Sequence, residues 1–175
     1  MIEETELIEK VKSGDGHAFG KLYDAHVWQL YRFLKQFSQD SDQVEEWVQR
    51  AFIKAFKNID AFEGRSKFSS WLIKLGINEM RMDRRQVLVF SLNEMGQADE
   101  ATTDTANEFE WNETMRSLIA KLSDEKKTVF LLHAVEGYSH SEIASTLGIT
   151  ESSSRSILTR TKKILQHEWN KEKLS

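Results

Sequence analysis

The segment EGYSHSEIASTLGITESSSRSILTRTKKIL, residues 136–165, concentrates the side chains whose types and spacing could do chemistry. It carries Arg155, Arg160, Lys162 and Lys163 together with the hydroxyls of Ser152, Ser153, Ser156 and Thr159, and no acid follows Glu151 within it. On a helical wheel these residues and Glu151 face one way, while positions 154, 157, 158, 161, 164 and 165 face the other. Cations suit phosphates, and short donors and acceptors suit base edges, so the chemistry on offer is recognition of DNA. A solvated helix whose late cations complement its dipole is the alternative reading of this stretch.

No catalytic constellation accompanies the segment. The five histidines are scattered, and a His-Glu-x-x-His pair, a phosphate-cradling glycine loop and a Ser-x-Gly elbow are all missing. The chain is expected to be no enzyme and to hold no metal or other cofactor, with His133 and His140 structural or solvent-facing. There is no cysteine, which rules out disulfides and thiolate metal sites and makes a reducing cytoplasm the expected location. No apolar run approaches the ~18 residues needed to span a bilayer, and the acidic N-terminus MIEETELIEKVKSGD is unlike a signal peptide, so no membrane insertion is expected.

The elements that must position the polar face are legible around it. Ser139 and Glu142 have capping-box spacing, so a helix should begin at Ser139 and present Ile143, Ala144 and Leu147 as a narrow apolar face. Gly148 suits the left-handed residue that ends this helix, Ile149 should plug the turn into the core, and Thr150 can cap the next helix. That is the grammar of a helix-turn-helix, whose second helix enters the major groove. Ser154 faces inward yet is polar, and it should accept valine.

Upstream, apolar positions recur at helical spacing over 4–12 and 17–37, then along Val44, Trp47, Val48, Phe52, Ala55 and Phe56, then through Phe68, Trp71, Leu72 and Leu75. The polar break SQDSDQ at 38–43 can cap the third helix, and DAFEGRSK at 60–67 reads as a loop. With no proline and only eight glycines in 175 residues, an all-α fold is expected. The net charge of −4 points to no partner, but its distribution is informative, because residues 91–112 contain six acids and no base. Two small helical domains, 1–90 and 109–175, are therefore expected, joined by an acidic linker at 91–108.

Both blocks together resemble the bacterial sigma factors of the extracytoplasmic-function group. In the first block the likeness rests on VEEWVQRAFIKAFKNIDAFEGRSKFSSWLIKLGIN, and in the second on LSDEKKTVFLLHAVEGYSHSEIASTLGIT. The chain departs from the family at Arg50, where an acid is usual, at Thr150, where proline is frequent, at Ser154, where the inner face is apolar, and at Ile157, where a base is common.

The resemblance implies a transcription initiation factor that binds the largest subunits of core RNA polymerase, recognises two promoter elements and helps melt the DNA. It assigns polymerase docking to Glu45, Glu46, Gln49, Arg50 and Lys54, although charges at this spacing also fit a solvated face. A downstream promoter element would meet Phe62, Gly64, Arg65, Lys67, Lys74, Asn78, Arg81, Arg84 and Arg85, since holding a displaced base takes a pocket and cations for its phosphates. Phe68 and Trp71 read as core at their helical spacing, and Asn78 could meet a base or brace the loop. The upstream element would meet the outward residues of the recognition helix. An acidic linker of about 18 residues could reach ~60 Å and so bridge the two elements, or serve as a plain tether. A monomer when free and an anti-sigma partner complete what the family implies. A stand-alone helix-turn-helix regulator, or a sigma-like protein that acts by binding an anti-sigma factor, are the alternatives.

Overall fold

The computed structural model describes residues 3–93 and 112–175, with side chains described to residue 85 in the first stretch. Among the described residues every regular element is helical. The chain divides into two compact units after Thr105. Positions 94–108 of the expected linker, and Phe109, lie outside the described residues; its first three positions continue a helix.

The first unit contains α1 (Glu4–Lys12), α2 (Gly16–Lys35), α3 (Ser41–Lys57), a 3-10 turn (Ile59–Ala61) and α4 (Phe68–Asn93). Asp15 starts α2 by accepting from the amides of His17 and Ala18 at 2.9 and 3.1 Å. Asp40, inside the polar break, starts α3 by accepting from Asp42 and Gln43 at 3.0 and 3.3 Å. A side-chain oxygen there satisfies amides that have no partner within the helix. The core joins Leu22, Leu30 and Leu34 of α2, Val44 and Trp47 of α3, and Phe68, Leu72, Ile73, Ile77 and Met80 of α4, each at most 1% exposed. Gly76 lets α2 and α4 approach, since a Cβ there would lie 2.8 Å from Leu30 Cδ1.

Phe56 departs from the expected apolar face. It is 45% exposed, its ring resting 4.8 Å from that of Phe19 at the edge of the α2–α3 seam, and Ala51 takes an inward place on α3 instead.

The second unit contains α5 (Glu113–Ala120), α6 (Asp124–Ala134), α7 (His140–Leu147) and α8 (Glu151–Leu174). All three shorter helices pack on α8. Its inward stripe is Ser154, Ile157, Leu158, Thr161 and Leu165, over a core that includes Val129, Leu132 and Ile143. Ile164, expected inward, is 37% exposed because it lies at the margin of that stripe. Ile149 is only half-buried in the turn it was expected to plug.

Candidate nucleic-acid interface

The turn between α7 and α8 is built by local hydrogen bonds. The Ser139 hydroxyl accepts from the Glu142 amide at 3.2 Å and the Glu142 carboxylate accepts from the Ser139 amide at 2.8 Å, which fixes where α7 begins. Gly148 ends α7 at φ 68°, ψ 35°, a conformation that side chains with a Cβ disfavour. Gly148 and Ile149 donate to the Ala144 carbonyl at 2.9 and 3.1 Å, and Thr150 Oγ1 accepts from the Ser153 amide at 3.0 Å to begin α8. The direction of α8 is thereby set.

Because α5, α6 and α7 all lie on one side of α8, its other side is open. Glu151, Ser152, Ser153, Arg155, Ser156, Thr159, Arg160, Lys162 and Lys163 are all exposed. Arg155, Ser156, Thr159 and Arg160 line a shallow groove on this side. Arg155 forms an ion pair with Glu151 at 3.0 Å and Arg160 Nε donates to the Ser156 carbonyl at 3.3 Å, so both guanidiniums lie along the helix rather than projecting from it. Exposed ion pairs of this kind contribute about 0.3–0.5 kcal/mol, little enough for a phosphate or base to replace.

Inside the turn, Ser154 is fully buried, and its hydroxyl lies 2.9 Å from Nδ1 of His140. Valine at 154 would leave that nitrogen without this partner, so the expectation that it accepts valine is revised. His140 itself stacks on His133, ring centroids 4.9 Å apart and 13° from parallel. Sequence spacing gave no sign of this cluster, because its members come from three helices.

In the first unit the residues expected at a downstream element divide into three groups. Lys74, Asn78, Arg81 and Arg85 recur at helical spacing along one side of α4, with Lys74, Asn78 and Arg85 exposed and Arg81 half-buried. The loop holds Gly64 at φ 72°, an exposed Lys67, and Arg65 paired with Glu63 at 2.7 Å. Two residues point elsewhere. Phe62 is buried, its ring 5.7 Å from Phe68 and 5.3 Å from Trp71, and Arg84 donates to the Phe37 carbonyl just beyond the end of α2. Trp71 is half-buried and Phe68 fully buried, as their spacing suggested.

A groove runs between this loop and α1, with Glu4, Thr5, Glu9 and Lys12 on one wall and Gly64, Ser66 and Lys67 on the other. Sequence reasoning did not place α1 here. Glu4 also reaches His26 of α2 at 2.5 Å, and the His26 ring lies 5.2 Å from Phe68, so α1 is anchored at the base of the loop.

On α3, Glu45, Glu46 and Gln49 are exposed while Arg50 and Lys54 are half-buried. Arg50 pairs with Glu46 and lies 4.0 Å from Asp83 of α4, whose carboxylate also accepts from Trp47 Nε1 at 3.0 Å and Gln43 Nε2 at 3.2 Å. Lys54 pairs with the buried Glu79 of α4. Both cations thus hold α3 to α4. Ile53 and Phe56, 52% and 45% exposed, extend the outward face that begins at Glu45.

Comparison with known proteins bears on this geometry. The Sigma-70 region 2 family matches residues 22–87 and the Sigma-70 region 4 family matches residues 112–165, together more than half of the chain. The ECF RNA polymerase sigma factor SigW of Bacillus subtilis is 27% identical, over 92% of this chain and 94% of its own. The ECF RNA polymerase sigma-E factor of Haemophilus influenzae is also 27% identical, over 93% of both chains. Among solved structures, the sigma factor RpoE in complex with the anti-sigma factor NepR from Bartonella quintana shares the fold with a TM-score of 0.77 and 21% identity, over 87% of this chain and 96% of that one. CnrH in complex with the cytosolic domain of CnrY does so with a TM-score of 0.68 and 24% identity, over 94% and 95%. Region 2 thus spans most of the unit with the α4 stripe, and region 4 contains the helix-turn-helix. The chain belongs to the extracytoplasmic-function group of bacterial RNA polymerase sigma factors and is a transcription initiation factor.

Proposed function

We propose that this chain binds core RNA polymerase in the cytoplasm through its first domain, residues 1–90, reads an upstream promoter element through its last, residues 109–175, and opens the DNA downstream, with residues 91–108 as linker. The observation that carries the reading is α8, whose nine outward residues are all exposed on a helix whose start is fixed by paired caps. Cations late in a major-groove helix meet phosphates, and Arg155 with the serines of the first turns can meet base edges.

On α3 the polymerase-facing set is Glu45, Glu46 and Gln49, with Ile53 and Phe56 as its apolar continuation; Arg50 and Lys54 support that face from within. At the downstream element, Asn78 meets a base while Lys67, Lys74, Arg81 and Arg85 meet phosphates, and Phe62 and Arg84 hold the frame. The factor is monomeric when free and has no catalytic chemistry of its own. An anti-sigma protein holds it inactive, as the anti-sigma factor NepR accompanies RpoE in its solved structure. No helix among the described residues is long and apolar enough to cross a membrane.

Run-off transcription from a genomic fragment library with purified core polymerase tests the reading. The expected result is initiation at discrete promoters that share an upstream and a downstream element. Transcripts identical with and without the chain would contradict it.

A further inference from the structure

The His133–His140 stack is not used by any step described so far. His140 is the first residue of α7, and its ring joins two neighbours: Nδ1 lies 2.9 Å from the Ser154 hydroxyl, and the ring plane rests on His133. His133 Nδ1 lies 3.0 Å from the Tyr138 carbonyl, which can only accept, so this nitrogen carries the proton. Three helices and the connection before α7 therefore meet at two half-buried imidazoles.

Ser154 sits between Ser153 and Arg155 in the chain but points the opposite way, into the core. Fixing its hydroxyl fixes the rotation of the first turn of α8 about its own axis, and hence where Ser153, Arg155 and Ser156 project. A small rotation there would move the tip of an arginine by ångströms.

We propose that His140 is a positioning residue for reading the upstream element: it locks the first turn of α8 to α7 through Ser154, and the lock opens when the His140 imidazole takes up a proton. The proposal rests on α8 being the helix that reads DNA. The electrostatics around His140 oppose its protonation. His133 approaches from α6, Arg155 and Lys162 from α8, and the positive end of the α7 dipole lies at His140 itself, while Glu151 of α8 and Glu142 of α7 act the other way. Burial and the neighbouring His133 hold the His140 imidazole below its ordinary value of 6.5.

The test uses the full chain bound to core polymerase, competed on duplexes with randomised upstream elements at about pH 8 and about pH 5.5. Wild type is expected to lose sequence discrimination about tenfold at the lower pH. His140→Asn can still bond Ser154 without titrating, so it should discriminate at both values. His140→Leu, and Ser154→Ala as the milder variant, should discriminate poorly at both while keeping wild-type helicity. Equal discrimination by wild type at the two pH values would overturn the proposal, as would unchanged selection by both lock-breaking variants or an asparagine variant as acid-sensitive as wild type. A uniform tightening at low pH, the signature of added charge near phosphate, would overturn it too. If wild type selects no sequence at either pH, the DNA-reading role of α8 falls and the proposal with it.

Discussion

Helices α3 and α8 each present a polar side, yet the two sides are used differently. On α8 every outward residue reaches solvent, because all the helices that pack on it lie on its other side. On α3, flanked by α2 and α4, Arg50 and Lys54 turn onto Asp83 and Glu79 of α4. A helical wheel shows which residues leave the core. It does not show which of those the neighbouring helix's acids will capture. Polar residues on a helix with one packed side remain available to a partner, whereas on a helix between two others those beside the neighbour, here Arg50 and Lys54, become part of the frame.

The largest effect that could break this comparison is on stability. Lys54→Ala would leave the Glu79 carboxylate buried without its cation, and the expected loss is about 3 kcal/mol in thermal or denaturant unfolding. Glu45→Lys and Gln49→Lys, on the open part of the same helix, should change stability by less than about 0.5 kcal/mol and weaken the complex with core polymerase. If Lys54→Ala weakens only that complex and leaves the melt unchanged, α3 resembles α8 after all.

The stripe on α4 sharpens the contrast next. Asn78→Ala and Arg81→Ala should lower permanganate reactivity of promoter thymines about tenfold while changing closed-complex affinity by less than threefold, as expected of groups that hold a displaced base. Equal losses in the two assays would assign both residues to general affinity. Arg84→Ala should instead destabilise the first unit, because its guanidinium serves the Phe37 carbonyl.

A smaller effect concerns how α7 is held. Ser139→Ala removes the hydroxyl that receives the Glu142 amide and should cost about 1 kcal/mol in the stability of the second unit, read by amide exchange of its core. Exchange unchanged from wild type would show that packing, and not the cap, determines where α7 starts.

Acid separates the two units by window. His140 is depressed by burial and by His133, so its contribution is present above 6.5 and is lost as pH falls through its folded-state value. Asp15 is depressed by the Ala18 amide and then that of His17, so its contribution to α2 is present above 3.8 and is lost only below that. Backbone NMR signals around His140 should therefore shift at a higher pH than those around Asp15 during an acid titration. Simultaneous changes would show that other groups dominate.

What could be read from sequence follows the same division. The caps at Ser139 and Thr150, the turn at Gly148 and the exposed face of α8 were legible because each depends on residues within a few positions of one another. The seam between α3 and α4 was not, since Trp47 and Asp83 meet across 36 residues and nothing in either helix alone marks the partner. The wall that α1 contributes beside the loop, and the bond from His140 to Ser154, were hidden for the same reason. Phe62 shows the opposite failure: a loop aromatic was assigned to the downstream element, but its ring packs in the Phe68–Trp71 cluster.

The central claim is that the open face of α8 reads DNA sequence. The most direct test is to select preferred upstream elements from a randomised promoter library with core polymerase bound to wild type or to Arg155→Ala, at two salt concentrations. The expected result is relaxed preference at one or two positions for Arg155→Ala, corresponding to about 1–3 kcal/mol, whereas Lys163→Ala weakens all sequences alike and lowers the salt slope by about one. An identical selected sequence from wild type and Arg155→Ala, with Ser152, Ser153, Ser156 and Thr159 variants equally silent, would contradict it.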